Sequence, residues 1–277
     1  MKEKFKIALA QISCCPGDKK ANLQKIWEYA KKAKEQGADL VVFPELSLTG
    51  YTVRDDIYEL AEKIPGPSTI VIEELARELE VHVIFGMPEL SEKAEATIYN
   101  SAVLVSPEGL IGKYRKIQLP NHSVFEEKRY FRPGHNSGVF ETKLGKIGLI
   151  ICYDIFFPEL SRLARLEGAK LIVCISASPT VRRKFFETLT VARAIENSAY
   201  LAYVNLVGME NGLQFWGGSR LIGPDGDIIA RAVYDEENIV FGEVDYTSLR
   251  PLEVFTPTLK DLRPELFEKL KIKAENF

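Results

Sequence analysis

The sequence predicts a four-layer α/β sandwich, in which two mixed sheets lie face to face and helices cover both outer surfaces. Three observations carry this. Apolar strand-like runs alternate with amphipathic helical stretches from the start of the chain. The same strand–helix–strand plan begins again after about Gly138. Matching Pro–Gly turn signals, Ser106-Pro-Glu-Gly109 and Gly223-Pro-Asp-Gly226, stand at comparable points in the two halves.

The elements follow in order. Phe5–Ile12 reads as a buried strand, and Asp18–Gln36 as a helix with Leu23, Ile26, Trp27 and Ala30 at helical spacing. Gly37 stops that helix before a second buried strand, Asp39–Phe43. Ile72, Leu75, Ala76 and Leu79 mark another amphipathic helix, leading to a strand at Val81–Gly86. Ser101–Val105 and Leu110–Tyr114 then form a hairpin about the first Pro–Gly turn. In the second half, Lys146–Ile151 echoes Lys6–Ala10, and Gly168–Val173 echoes Gly37–Val42, as expected of an internal duplication. Residues 1–245 read as one domain. Residues 246–277 read as a tail that packs on it or reaches a partner subunit, ending in the helical stretch Pro264–Lys273.

Composition narrows the function. At 277 residues and 46% apolar content the chain can bury a large core. A net charge of −3, with cations spread along the chain, argues against nucleic acid as a partner and shows no membrane-surface patch. The longest apolar runs are too short to span a bilayer, and no signal peptide is visible. Four scattered cysteines make no disulfide framework, so a reducing cytoplasm is expected. The three histidines, His82, His122 and His135, lack zinc-site spacing, and neither a metal nor an organic cofactor is expected.

Three positions stand out for chemistry. Cys152 ends the strand Lys146–Ile151, ahead of Pro158 in the first turn of the next helix. A strand–nucleophile–helix arrangement exposes a reactive side chain at the carboxyl end of a sheet, where ligands bind in α/β folds. Taken alone, the residue reads more readily as a buried structural thiol. Glu45 follows the second strand within Phe43–Tyr51, placed for proton transfer or for an ordinary loop charge. Lys116 lies just past a strand in a cation-rich stretch, where the bland alternative is a solvated face.

The joint pattern decides. Pro44-Glu45, Tyr114-Arg-Lys116 and Ile151-Cys-Tyr-Asp154, in this order, resemble the three signature regions of the nitrilase, or carbon–nitrogen hydrolase, superfamily. The likeness runs from about residue 5 to 245. It implies an αββα sandwich and a triad of Glu45 as general base, Lys116 as oxyanion-side cation and Cys152 as nucleophile. It implies a second carboxylate after the lysine, matched here by Glu127, with Glu126 as its competitor.

Within the superfamily the chain is similar to the glutaminase domain of glutamine-dependent NAD synthetases, notably in Leu119–Phe131, Tyr203–Gly208 and Gly217–Ser219. It departs from that group in two places. Tyr153 stands where a Glu usually follows the nucleophile, and His122 where a Tyr is usual. Cys-Tyr-Asp is closer to the stand-alone amidases. Expected pocket residues are therefore Phe125, Tyr153, His122 and one of Arg182 and Arg183, the arginine suited to pairing with a substrate carboxylate. The resemblance implies a thiol amidohydrolase acting on a small linear ω-amide. Its alternatives are an ammonia-donating subunit serving a separate synthetase, a nitrilase and an N-carbamoyl hydrolase. It also implies a homodimer or larger homo-oligomer.

Overall fold

Alternation along the first strand sets the layers. In β1 (Lys4–Gln11), Ile7 and Leu9 point into an apolar core shared with the other sheet, while Ala8 and Ala10 point outward against helices. The computed structural model describes residues 2–94 and 96–276. Helix α1 (Lys19–Glu35) starts where Asp18 accepts a hydrogen bond from the Ala21 N–H at 2.9 Å, and seats Ile26, Ala30 and Ala33 on β1. It stops at Gly37, whose φ of +77° takes the chain into β2 (Leu40–Val42). The short α2 (Ile57–Leu60) precedes α3 (Pro67–Leu79), which covers the same outer face with Ile72, Leu75 and Ala76. Strands β3 (His82–Leu90), β4 (Ile98–Ser106) and β5 (Gly109–Arg115) complete the first half.

A short α4 (Glu127–Tyr130) and an edge strand β6 (Val139–Thr142) lead to the second half. There β7 (Gly145–Ile151), α5 (Pro158–Leu166), β8 (Leu171–Ser176), α6 (Arg183–Asn197) and β9 (Tyr200–Asn205) repeat the plan, and α5 ends at Gly168 (φ +100°) as α1 ends at Gly37. A separate ribbon, β10 (Val207–Glu210) with β11 (Leu213–Trp216), intervenes before β12 (Arg220–Ile222), β13 (Ile228–Arg231) and β14 (Asn238–Asp245). Helices α7 (Leu249–Phe255) and α8 (Pro264–Glu275) follow.

The sheets run β14-β1-β2-β3-β4-β5 and β13-β12-β9-β8-β7-β6. Each has three parallel strands at its centre and antiparallel strands on both flanks. The repeat is reciprocal: β6 follows the first half but pairs with β7, and β14 follows the second half but pairs with β1. The four-layer sandwich is therefore observed, with α1 and α3 outside one sheet and α5 and α6 outside the other.

Two details differ from the expected elements. The third strand continues past Gly86 to Leu90, because Pro88 and Glu89 pair with Asn100 and Tyr99 on β4. The β10–β11 ribbon falls where no hairpin was expected. Beyond β14, Tyr246 and Leu249 are buried in the core, whereas α8 buries no side chain. Among the described residues, no helix is long and apolar enough to cross a membrane.

Candidate active site

Parallel strands in both sheets deliver their carboxyl ends to one place. Glu45 follows β2, and its loop lies directly on β3 because Gly86 has no side chain. A Cβ there would come within 2.3 Å of the Leu46 nitrogen and 2.8 Å of the Glu45 Cα. Lys116 follows β5, its backbone N–H held by the Asn100 carbonyl at 2.8 Å. Glu127 opens α4, with its own N–H on the Pro120 carbonyl at 3.1 Å.

These three side chains meet out of contact with water. Lys116 Nζ lies 2.7 Å from Glu45 Oε1 and 2.7 Å from Glu127 Oε1. Glu45 and Lys116 are 0% exposed. Glu127 is buried and Glu126 exposed, so only the former joins the cluster. Glu45 also accepts from Asn100 Nδ2 at 2.7 Å and, through Oε2, from the Ala177 N–H just past β8 at 2.7 Å. Tyr51 donates its hydroxyl to Glu127 Oε1 at 2.8 Å. Tyr51 in turn is held by Glu210 of β10, whose Oε2 accepts from the N–H groups of Tyr51 and Thr52 at 2.9 and 3.0 Å. Sequence reasoning missed Asn100, Tyr51, Glu210 and the Ala177 amide. Of these only Asn100 leaves a trace, as a polar residue inside an apolar strand.

Charge in the cluster follows from burial and proximity. Burial pushes the Glu127 carboxyl up and Lys116 pulls it down, leaving it at about 7. Burial pulls Lys116 down, but Glu127 and Glu45 more than offset this and hold it well above the ordinary lysine range. Cys152 is 4% exposed. Burial first, then the Glu45 charge, pushes its thiol well above the usual value, against the opposing pull of Lys116. A thiol so placed stays protonated until a base removes its hydrogen. Its backbone is also strained: Cys152 has φ +46°, in the left-handed region that non-glycine residues rarely adopt. It opens a single 3-10 turn, Cys152–Phe156, leading to Pro158 at the first position of α5.

Three of the remaining expected residues, Phe125, His122 and Tyr153, form a wall beside this centre. Phe125 sits edge-on to Tyr51 with ring centroids 6.5 Å apart, His122 sits 5.7 Å from Phe125, and Tyr153 sits 5.5 Å from His122. This aromatic row runs from the Glu127 side to the Cys152 turn. A cavity of about 280 Å3 on one side is lined by Tyr51, Glu127, Tyr130, Phe131 and Leu213 among others. Another of about 590 Å3 is lined by His122, Tyr153, Phe131, Lys128 and Phe157 among others. Arg182 and Arg183 separate cleanly. Arg183 bonds Glu187 at 3.2 Å and lies over Tyr234 at 3.6 Å, whereas Arg182 lies over the Phe185 ring at 5.8 Å, with no carboxylate partner among the described residues.

Known proteins are similar to this chain over most of its length. A family model described as carbon–nitrogen hydrolase matches residues 6–253. The chain is 34% identical to a probable nitrilase of Schizosaccharomyces pombe, over 96% of this chain and 98% of the relative. It is 33% identical to an omega-amidase of Xenopus tropicalis, over 95% and 97%. It is 34% identical to a glutamine-dependent NAD(+) synthetase of Acinetobacter baylyi, over 99% of this chain but 50% of that one. Among solved structures, it superposes on a carbon–nitrogen hydrolase of Helicobacter pylori G27 with a TM-score of 0.90 at 26% identity, covering 96% and 98% of the two chains. It matches an amidase of Nesterenkonia sp. AN1, solved as a mutant complex with acrylamide, with a TM-score of 0.84 at 28% identity over 97% and 98%. The chain belongs to the carbon–nitrogen hydrolase family, and it is an enzyme of the amidase type.

Proposed function

We propose that this enzyme hydrolyses the carbon–nitrogen bond of a small linear ω-amide through a thioester on Cys152, releasing ammonia. The observation that carries the reading is the water-excluded Glu45–Lys116–Glu127 cluster, whose charges act on a buried, strained thiol. Glu45 takes the thiol proton as Sγ attacks the amide carbonyl. Lys116, with the backbone N–H of Tyr153, stabilises the oxyanion of the tetrahedral intermediate. Glu45 then gives its proton to the nitrogen, and ammonia leaves. Water attacks the thioester as Glu45 accepts one of its protons. Collapse releases the carboxylic acid and returns the proton to sulfur. Glu127 holds Lys116 in place, and its Oε2, buried and without a hydrogen-bond partner among the described residues, is available to the substrate amide.

Phe125, His122 and Tyr153 wall the substrate, and Arg182 meets its distal carboxylate. Two likenesses support this substrate class: the omega-amidase relative, and the amidase that was solved with acrylamide. The synthetase relative, with half its length beyond the matched part, supports a second reading as an ammonia-donating subunit. Ammonia release from the isolated chain separates them, measured on glutamine, its des-amino analogue, aliphatic amides, a nitrile and an N-carbamoyl compound. Preference for the des-amino amide supports the first reading. Strong preference for glutamine, with output rising on addition of a synthetase, replaces it with the second, and turnover confined to the nitrile or carbamoyl compound overturns both. The chain also acts as a homo-oligomer in this proposal. Exposed Leu163, Leu166, Phe185 and Ile195 on α5 and α6, with Val254 and Phe255 on α7, supply an apolar contact. A monomer by light scattering at micromolar concentration would refute it.

A further inference from the structure

Asp154 is wholly buried and ionisable, and no step of the proposed reaction uses it. Burial pushes its carboxyl up to about 6, against the pull of its hydrogen-bond donors and the nearby Lys116 charge, so it is mainly ionised at neutral pH. Its Oδ2 accepts from the Ile151 N–H at 3.0 Å and the Tyr114 hydroxyl at 2.8 Å, and its Oδ1 from the Gln118 N–H at 2.8 Å.

The donors come from both sheets. Ile151 ends β7 and immediately precedes Cys152. Tyr114 lies at the end of β5 in the opposite sheet, and Gln118 follows it, so the two bracket Lys116. A residue that merely capped the 3-10 turn would need the Ile151 contact alone. The other two contacts run across the sandwich, and one carboxylate thereby joins the segment carrying the thiol to the segment carrying the ammonium.

We propose that Asp154 is a positioning residue that fixes the Cys152 turn against the Lys116 segment. The proposal rests on the reading of Cys152 as nucleophile and Lys116 as its oxyanion partner. Small displacements between reacting groups are costly, about 10²-fold in rate for about 1 Å. Asp154→Asn preserves the volume of the side chain but turns an N–H toward one of the backbone donors, so the two segments shift.

The test uses the intact chain and a substrate from the amide panel. The number of active sites is counted from iodoacetamide adducts on Cys152 by mass spectrometry. Per reactive thiol, Asp154→Asn should lose about 10²-fold in kcat with KM little changed. It should also slow the alkylation of Cys152. Tyr114→Phe, which removes one donor, should lose roughly tenfold, the worth of one hydrogen bond to a charged group. Unchanged kcat per reactive thiol in both variants overturns the proposal, as does a fall explained entirely by fewer active sites. Should Asp154→Asn fail to fold, unchanged kcat in Tyr114→Phe is sufficient to overturn it. Failure of the underlying reading looks different: in the wild-type chain the adduct appears on another cysteine, or Cys152→Ala keeps its turnover.

Discussion

The Tyr51 hydroxyl donates to the same oxygen of Glu127, Oε1, that receives Lys116. Tyr51 therefore helps hold Glu127 ionised, and its loss should raise the Glu127 pKa. In Tyr51→Phe, a pH–rate profile should show the acid limb moved toward higher pH, with roughly a tenfold loss below neutrality. An unmoved limb would mean that this hydroxyl has no electrostatic role.

Glu127 also makes stability depend on pH. Between the ordinary value of 4.5 and about 7, the folded chain keeps a proton that the unfolded chain releases. The contribution of this group is therefore most favourable at the acid end of that window and declines as pH rises through it. Glu127→Gln should lose turnover, yet melt above the wild type at about pH 8 and approach it at about pH 5, each kcal/mol being about 2–4 °C of Tm. Asp154, with its carboxyl at about 6, supplies slope that remains in the variant. Parallel melting curves for the two chains would contradict this.

Cys152 should be the site of covalent chemistry. Iodoacetamide and a slow substrate should both label it, and Cys152→Ala should abolish turnover. Its positive φ adds a second readout. Glycine at this position escapes the strain that alanine keeps, so Cys152→Gly should be as stable as Cys152→Ala or better, by up to about 1 kcal/mol. The reverse order in chemical denaturation would place the strain elsewhere.

Glu45→Gln and Lys116→Ala should each lose about 10²–10⁴-fold in kcat. Their stabilities should diverge. Glu45→Gln keeps one acceptor oxygen, which serves either Asn100 and Lys116 or the Ala177 amide but not both, whereas Lys116→Ala strands two buried carboxylates and should cost about 3–5 kcal/mol unless one is protonated. Either variant turning over near the wild-type rate would remove that residue from the chemistry.

Periodicity made the layers legible because each strand and helix speaks through its own residues. Asp18 and Gly37 bound α1 within a residue of the expected limits, and the echo of Lys6–Ala10 in Lys146–Ile151 became the equivalent strands β1 and β7. The triad was legible only as a joint pattern, since Glu45, Lys116 and Cys152 lie on three segments that meet only in the fold. What stayed hidden depends on neighbours distant in sequence. The Ala177 amide carries no side-chain signal, the bond from Glu210 to Tyr51 spans 159 positions, and the continuation of β3 beyond Gly86 is decided by its partner β4.

The reciprocal exchange of β6 and β14 bears on biosynthesis. β1 pairs along its whole length with β14, from Lys4 opposite Asp245 to Gln11 opposite Asn238. β1 is synthesised long before its partner β14, with one edge open in the interval. Contacts this distant in sequence make for slow closure, and the nascent first sheet stays unsealed until Ile239 and Phe241 arrive. A chain arrested before β14 would retain every proposed reacting residue and still lack the seam that closes its first sheet.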